Sequence, residues 1–254
     1  MSTSYTFSAA TNIGGRESNQ DNFFAGGIIP FPSDEVNFSS QGIGESSAPG
    51  IFVVCDGVGS RESSAKTARA TIDSLVNRFK DNTVYDYSEE WLRETICAVQ
   101  KDIADFLNET GENGSNTLSF LIISQEYFVF ANIGDSPAFL VKNSFDSLIE
   151  LSVRHNLETY NRLTGKPVGP DDSRYLLYSF GSNPFDLSSV VNIADGVVES
   201  GDSFILCSDG ITNAISEEKI TEMLRDGAQA DDFVNLAILT PGSDNCTAIV
   251  IHID

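Results

Sequence analysis

Three aspartates in this chain close short apolar runs, Asp56 in FVVCDG, Asp135 in FANIGDS and Asp209 in FILCSDG, while Asp244 in SDNCTAIVI precedes one. If the last run pairs antiparallel with its neighbours, the four carboxylates collect at one edge of a sheet. Asp21, in GRESNQDNFF, also precedes an apolar run and can join them. Such a gathering is unstable alone, because like charges near 4 Å cost about 4 kcal/mol per pair at an effective dielectric of 20. Lys and Arg are scarce beside these motifs apart from Arg16 and Arg61, so a divalent cation is the natural counter-charge. An all-oxygen donor set suits Mg²⁺, Mn²⁺ or Ca²⁺, and two histidines in the whole chain, His155 and His252, argue against zinc or non-haem iron. The Gly57 carbonyl can add a ligand, since glycine lets backbone approach an ion closely.

Asp-Gly is also ordinary turn chemistry, and the dipeptide occurs at 56, 195, 209 and 226. Asp195-Gly196, between two apolar runs, reads as a hairpin turn, and Asp226-Gly227 as a helix end. Convergence of several carboxylates therefore carries the argument, and no single motif does.

The elements that must position these groups are legible as hydrophobic patterns. Residues 51–55, 127–133, 203–207 and 246–253 are short β-branched and aromatic runs bounded by Gly, Asp and Ser, the signature of buried strands. Trp91, Leu92, Thr95, Ile96, Val99, Ile103, Phe106 and Leu107 recur at helical spacing behind Ser88 as N-cap, with Glu89 and Glu90 in the first turn. Further helices are expected over 63–79 and after Ser216. Residues 26–50 and 154–184 read as long loops. Strands and helices come in groups, which suggests antiparallel sheet with helices outside rather than strict βαβ alternation.

With 254 residues, 41% of them apolar, the chain can bury a large core as one domain over 1–254. Acidic residues number 37 against 15 basic, for a net charge of -22, which opposes a nucleic-acid partner reached by phosphate neutralisation. No window approaches the roughly 18 apolar residues of a membrane span and no leader pattern opens the chain, so no membrane association and a cytoplasmic location are expected. Cys55, Cys97, Cys207 and Cys246 form no CxxC pair, and the three beside the acidic motifs, Cys55, Cys207 and Cys246, read as small buried residues at strand ends. A Cys-x5-Arg spacing occurs once, from Cys55 to Arg61, but it runs through the acidic Asp56-Gly57 motif rather than an anion-cradling loop, which argues against a cysteine phosphatase.

The order Gly15-Arg16 to Asn19-Gln20-Asp21, Asp56-Gly57-Val58-Gly59, Gly134-Asp135-Ser136, Ser208-Asp209-Gly210 and Asp244-Asn245 resembles the metal-dependent protein phosphatase (PPM) family, of the protein phosphatase 2C type, in its bacterial form. The resemblance implies an α+β fold: a four-layer α/β/β/α sandwich, two central antiparallel sheets flanked by helices, with a binuclear Mn²⁺ or Mg²⁺ site at one end. It implies that Asp56 bridges both metals, that the Gly57 carbonyl binds one, and that Asp209 and Asp244 bind the other. Asp21 would hold metal-bound water, Asp135 would belong to a weaker third site, and Arg16 would bind the substrate phosphate. Residues 26–50 would be an insertion and about 154–184 a variable flap. Val58 and Ser60 stand where the family commonly has Met and Gly, and Pro137 where it often has Arg.

The implied activity is hydrolysis of phosphoserine and phosphothreonine in proteins, by direct attack of a hydroxide bridging the two metals. The enzyme would act as a monomer on targets of a cognate Ser/Thr kinase. His155 reads as a structural loop residue rather than the general acid. Alternatives from other classes are a catalytically silent regulatory module on the same fold and a calcium-binding interaction domain; a phosphatase acting on a partner-switching regulator is a further one.

Overall fold

Strand Gly50–Cys55 (β4) shows why its sequence is apolar throughout. Ile51, Val53 and Cys55 face a cluster with the helical residues Ile72, Leu75, Leu92 and Ile96, whereas Phe52 and Val54 face the opposite sheet. A strand covered on both faces loses the polar positions of an alternating pattern. Leu118–Ser124 (β6) repeats this, with Phe120 and Ile122 towards the helices and Leu121 and Ile123 between the sheets.

The computed structural model describes residues 4–27, 38–45, 49–59, 62–82, 87–143, 148–181 and 186–254. The other strands are Ser4–Asn12 (β1), Asn22–Ala25 (β2), Phe38–Glu45 (β3), Ser115–Asn116 (β5), Tyr127–Ile133 (β7), Ala138–Val141 (β8), Leu148–Glu150 (β9), Phe180–Gly181 (β10), Asn192–Val197 (β11), Ser203–Cys207 (β12) and Cys246–Ile253 (β13). Among the described residues one sheet runs β3-β1-β13-β12-β8-β9 and a second runs β11-β7-β6-β4-β2, with every pair antiparallel. A small pair, β5 with β10, stands apart.

Helices Glu62–Asp81 (α1) and Glu89–Thr110 (α2) cover the second sheet. On α2, Ser88 accepts a hydrogen bond from Trp91 N and Gly111 closes the helix in the left-handed conformation, φ 68°. The short helix Asp209–Thr212 (α4) follows β12, and Glu217–Arg225 (α5) and Ala230–Ala237 (α6) cover the first sheet through Ile220, Leu224, Phe233 and Val234. Ser216 caps α5 as expected, and α5 ends at Asp226-Gly227. The layers therefore run helices, sheet, sheet, helices, the arrangement that the resemblance implies.

Three local expectations are corrected. Part of the segment read as a loop over 26–50 is the edge strand β3, paired along β1. A Cβ on Gly42 or Gly44 would fall 2.4 Å or 2.3 Å from the rings of Phe7 and Tyr5, so glycine lets these aromatics pack flat beneath a strand that propensity alone would not form. Residues 28–37 and 46–48 lie outside the described residues. The segment 154–184 holds helix Leu157–Thr164 (α3), the 3-10 turn Asp172–Arg174 and β10 rather than loop alone; its residues 182–184 lie outside the described residues. Asp195-Gly196 is not a turn but mid-strand in β11, opposite Val129 and Phe128. A Cβ on Gly196 would meet the Phe128 ring at 2.7 Å, so packing accounts for this glycine.

Cys55, Cys207 and Cys246 are buried at strand ends, whereas Cys97 lies half-buried on α2, and all four are free thiols. No helix among the described residues is long and apolar enough to cross a membrane.

Candidate active site

Antiparallel pairing decides which strand ends meet. The C-terminal end of β12 lies beside the N-terminal end of β13, with Cys207 opposite Ala248, so Asp209 and Asp244 come together. In the second sheet β2 pairs with β4, Asn22 opposite Cys55, which sets Asp21 beside Asp56. β4 and β7 both pair with β6 and so run the same way, bringing Asp135 to the same end as Asp56.

The product is a cleft of about 140 Å³ between the sheet ends, lined among others by Arg16, Asp56, Gly57, Asp135, Asp209 and Asp244. Asp21 lies behind this lining, where Ser208 Oγ donates to its Oδ2 at 2.7 Å. Its other oxygen, Oδ1, is buried without a hydrogen-bond partner. Ser208 is itself held by Thr247 N, which donates to its Oγ at 3.0 Å.

Burial, then the surrounding carboxylates, raises the proton affinity of these groups. Burial pushes Asp21 up to about 7, opposed by its hydroxyl donors. Asp135 also rises to about 7, through burial and then Asp209. Asp56 is held well above the usual carboxylate range by burial and by Asp21, Asp209, Asp135 and Asp244, and Asp209 is raised by burial and Asp244.

A divalent cation fits this site by charge and by donor chemistry. The donors are carboxylates and a glycine carbonyl, the hard oxygen set of Mg²⁺ or Mn²⁺, and one buried carboxylate oxygen is orphaned beside them. Among the described residues no three such side chains close into a finished cage. Asp244 is engaged instead by Arg16, whose Nη2 donates to Oδ2 at 2.5 Å. That bond, first of several causes, raises the Arg16 pKa.

Gly57 is required by space, because a Cβ there would lie 2.7 Å from Gln20 Cβ and Gln20 O. The Arg16 loop is fastened by Asn245, which accepts from Gln20 N at 2.9 Å and donates to Ile13 O and Ser18 O. His155 sits beneath the Asp135 turn: its Nδ1 accepts from Gly134 N at 3.1 Å, and burial lowers its pKa to about 4. Its Nδ1 is thus engaged by backbone.

Sequence reasoning gave no role of their own to Ser208, Thr117 and Arg174. Ser208 stands in the Ser208-Asp209-Gly210 motif as the immediate neighbour of Asp209; Arg174 lines the cleft from the segment expected as a variable flap, and Thr117 from one that carries no recognisable pattern. A larger cavity of about 490 Å³ lies at the opposite end of the first sheet, near Lys142, Asp202 and His252. Asp202 and Lys142 are paired there at 2.8 Å, and His252 is bonded to Ser203 and Ala228, so these groups are already used structurally.

The family model described as protein phosphatase 2C matches residues 39–237, which include Asp56, Asp135 and Asp209. The chain belongs to the protein phosphatase 2C family. Among relatives, the serine/threonine phosphatase stp of Listeria monocytogenes is 29% identical over 215 residues, covering 80% of this chain and 84% of the relative. Among solved structures, the Mycobacterium tuberculosis serine/threonine phosphatase PstP/Ppp aligns with TM-score 0.78 over 98% of both chains, at 18% identity. The catalytic domain of PstP in complex with two manganese ions aligns with TM-score 0.75, covering 98% of this chain and 99% of that one, at 19% identity. At these identities the structural likeness is one of fold. In this 2C-type phosphatase Arg16, Asp21 and Asp244 fall outside the matched span, and it is the folded chain that sets them beside Asp56 and Asp209.

Proposed function

We propose that this protein phosphatase removes phosphate from phosphoserine and phosphothreonine in proteins, using Mn²⁺ or Mg²⁺ held by Asp56, the Gly57 carbonyl, Asp209 and Asp244. Asp135 belongs to a further, weaker cation site. The observation that carries this reading is the convergence of Asp56, Asp135, Asp209 and Asp244 with Arg16 on one cleft. Bound there, two divalent cations supply charge neutralisation and an activated water, which phosphate-monoester hydrolysis needs because the uncatalysed reaction is among the slowest known.

The chain's own groups do the rest. Arg16 presents a planar fork of donors that suits two phosphoryl oxygens, and its half-exposed position at the cleft lets substrate reach it. Asp21, oriented by Ser208, keeps one oxygen free for water. The Asp135 turn is braced from below by His155.

The substrates are phosphoproteins, and we assign them to a cognate Ser/Thr kinase in the cytoplasm, with the enzyme acting as a monomer. The test is turnover of p-nitrophenyl phosphate and a phosphothreonine peptide with added Mn²⁺, abolished by EDTA. Full activity in chelated buffer, or Mn²⁺ binding without turnover, rejects the reading.

A further inference from the structure

The loops bearing Asp56 and Asp135 belong to different strands, yet one buried side chain touches both. Thr117 Oγ1 accepts from Asp56 N at 3.0 Å and shares a hydrogen bond of 2.5 Å with Ser136 Oγ, next to Asp135. Thr117 N also donates to Asp56 O at 2.8 Å. Its residue exposure is 1%.

The surrounding backbone makes this link rigid. Val58 N donates to Ser115 O at 2.8 Å, and Gly57 forms an antiparallel bridge with Asn116, so Ser115–Thr117 runs as a splint along Asp56–Val58. Gly134 adopts φ +97° directly over Thr117, where a Cβ would fall 2.6 Å from the threonine methyl. The far side of the splint pairs with β10, Gly181 opposite Ser115.

We propose that Thr117 is a positioning residue for the cation site: its hydroxyl fixes the Asp56 loop against the Gly134–Ser136 turn, and so sets the separation of the two carboxylates. The inference rests on the cation-dependent reading of the cleft. Outer-shell partners of this kind typically change metal affinity by about 10- to 100-fold when removed. Threonine suits a test because its two functions separate: Thr117→Val keeps the shape and removes the hydroxyl, whereas Thr117→Ser keeps the hydroxyl and removes the methyl.

The measurement is Mn²⁺ binding by calorimetry to the full chain, beside steady-state turnover of p-nitrophenyl phosphate. Thr117→Val should bind Mn²⁺ about 10- to 100-fold more weakly. Its KM for p-nitrophenyl phosphate at saturating Mn²⁺ should stay within about twofold of wild type, because no substrate contact is lost. Thr117→Ser should retain Mn²⁺ affinity within about threefold. Wild-type affinity in Thr117→Val, or a larger loss in Thr117→Ser than in Thr117→Val, overturns the proposal, the second result giving the role to the methyl. If Thr117→Val does not melt cooperatively, Ser136→Ala tests the same bond, and unchanged Mn²⁺ affinity there is equally fatal. Failure of the wild type to bind Mn²⁺ rejects the cation reading and this proposal together, whereas a wild type that binds and turns over beside an unaltered Thr117→Val rejects only the latter.

Discussion

Arg16 Nη2 lies 2.5 Å from Asp244 Oδ2, so a cation suited to phosphate and a carboxylate suited to metal neutralise each other across 228 positions of sequence. Both are partly exposed, and a divalent ion at Asp244 would release the guanidinium towards substrate. Removing Arg16 should therefore weaken phosphate capture more than it slows the reaction. A charge-assisted bond is worth about 1.5–3 kcal/mol, so Arg16→Ala should lower kcat/KM roughly 10- to 150-fold, chiefly through KM. Arg16→Lys should recover part of this, since it keeps the charge and loses the fork. Steady-state kinetics on p-nitrophenyl phosphate and a phosphothreonine peptide check it, and values within twofold of wild type on both would remove Arg16 from the site.

Asp209→Asn keeps the side-chain volume and deletes one of the carboxylates that converge on the cleft. Turnover should drop on the order of 10²- to 10³-fold, the size expected when one preorganised electrostatic group is lost. In chelated buffer the variant should melt at a higher temperature than wild type, because less carboxylate repulsion remains in the cleft. Near-normal kcat at saturating Mn²⁺ would show that Asp209 is not a ligand.

Stability in chelated buffer should depend on pH in a direction set by these carboxylates. Asp21 and Asp135 bind protons in the folded state up to about 7, against an ordinary 3.8. A raised folded pKa favours the folded state fully below the ordinary value and less as pH climbs through the folded one, so this contribution fades between about pH 4 and 7. His155, lowered to about 4 from 6.5, acts oppositely and weakens the fold as pH falls through that range. Because His155 contributes with or without metal, the difference in Tm between Mn²⁺-loaded and chelated protein isolates the carboxylates. That difference should grow from pH 5 to 7.5, and a flat difference would contradict the assignment.

His155→Ala leaves the buried Gly134 amide without its acceptor, a loss of about 1–3 kcal/mol in stability. If His155 is structural, the pH-rate profile of the surviving enzyme should keep the wild-type shape. Loss of the limb expected for a general acid would instead place His155 in the chemistry.

The strands at 51–55, 127–133, 203–207 and 246–253, the Ser88 and Ser216 caps and the five aspartates were legible because each depends on neighbours in sequence: apolar runs, capping hydroxyls, the Asp-Gly or Gly-Asp junctions of Asp56, Asp135 and Asp209, and the apolar runs that Asp21 and Asp244 precede. Edge strand β3 was not, since Gly42 and Gly44 are strand-compatible only above the rings of Phe7 and Tyr5. Gly196 likewise looked like a turn until Phe128 was seen across from it. The residue types thus determined an acidic, oxygen-rich site served by apolar strands. Antiparallel register and two-sheet packing alone decided that Asp244 meets Arg16 and that Asp21 is held by Ser208. They also placed Thr117 between Asp56 and Ser136, because those contacts join segments far apart in sequence and carry no local signature.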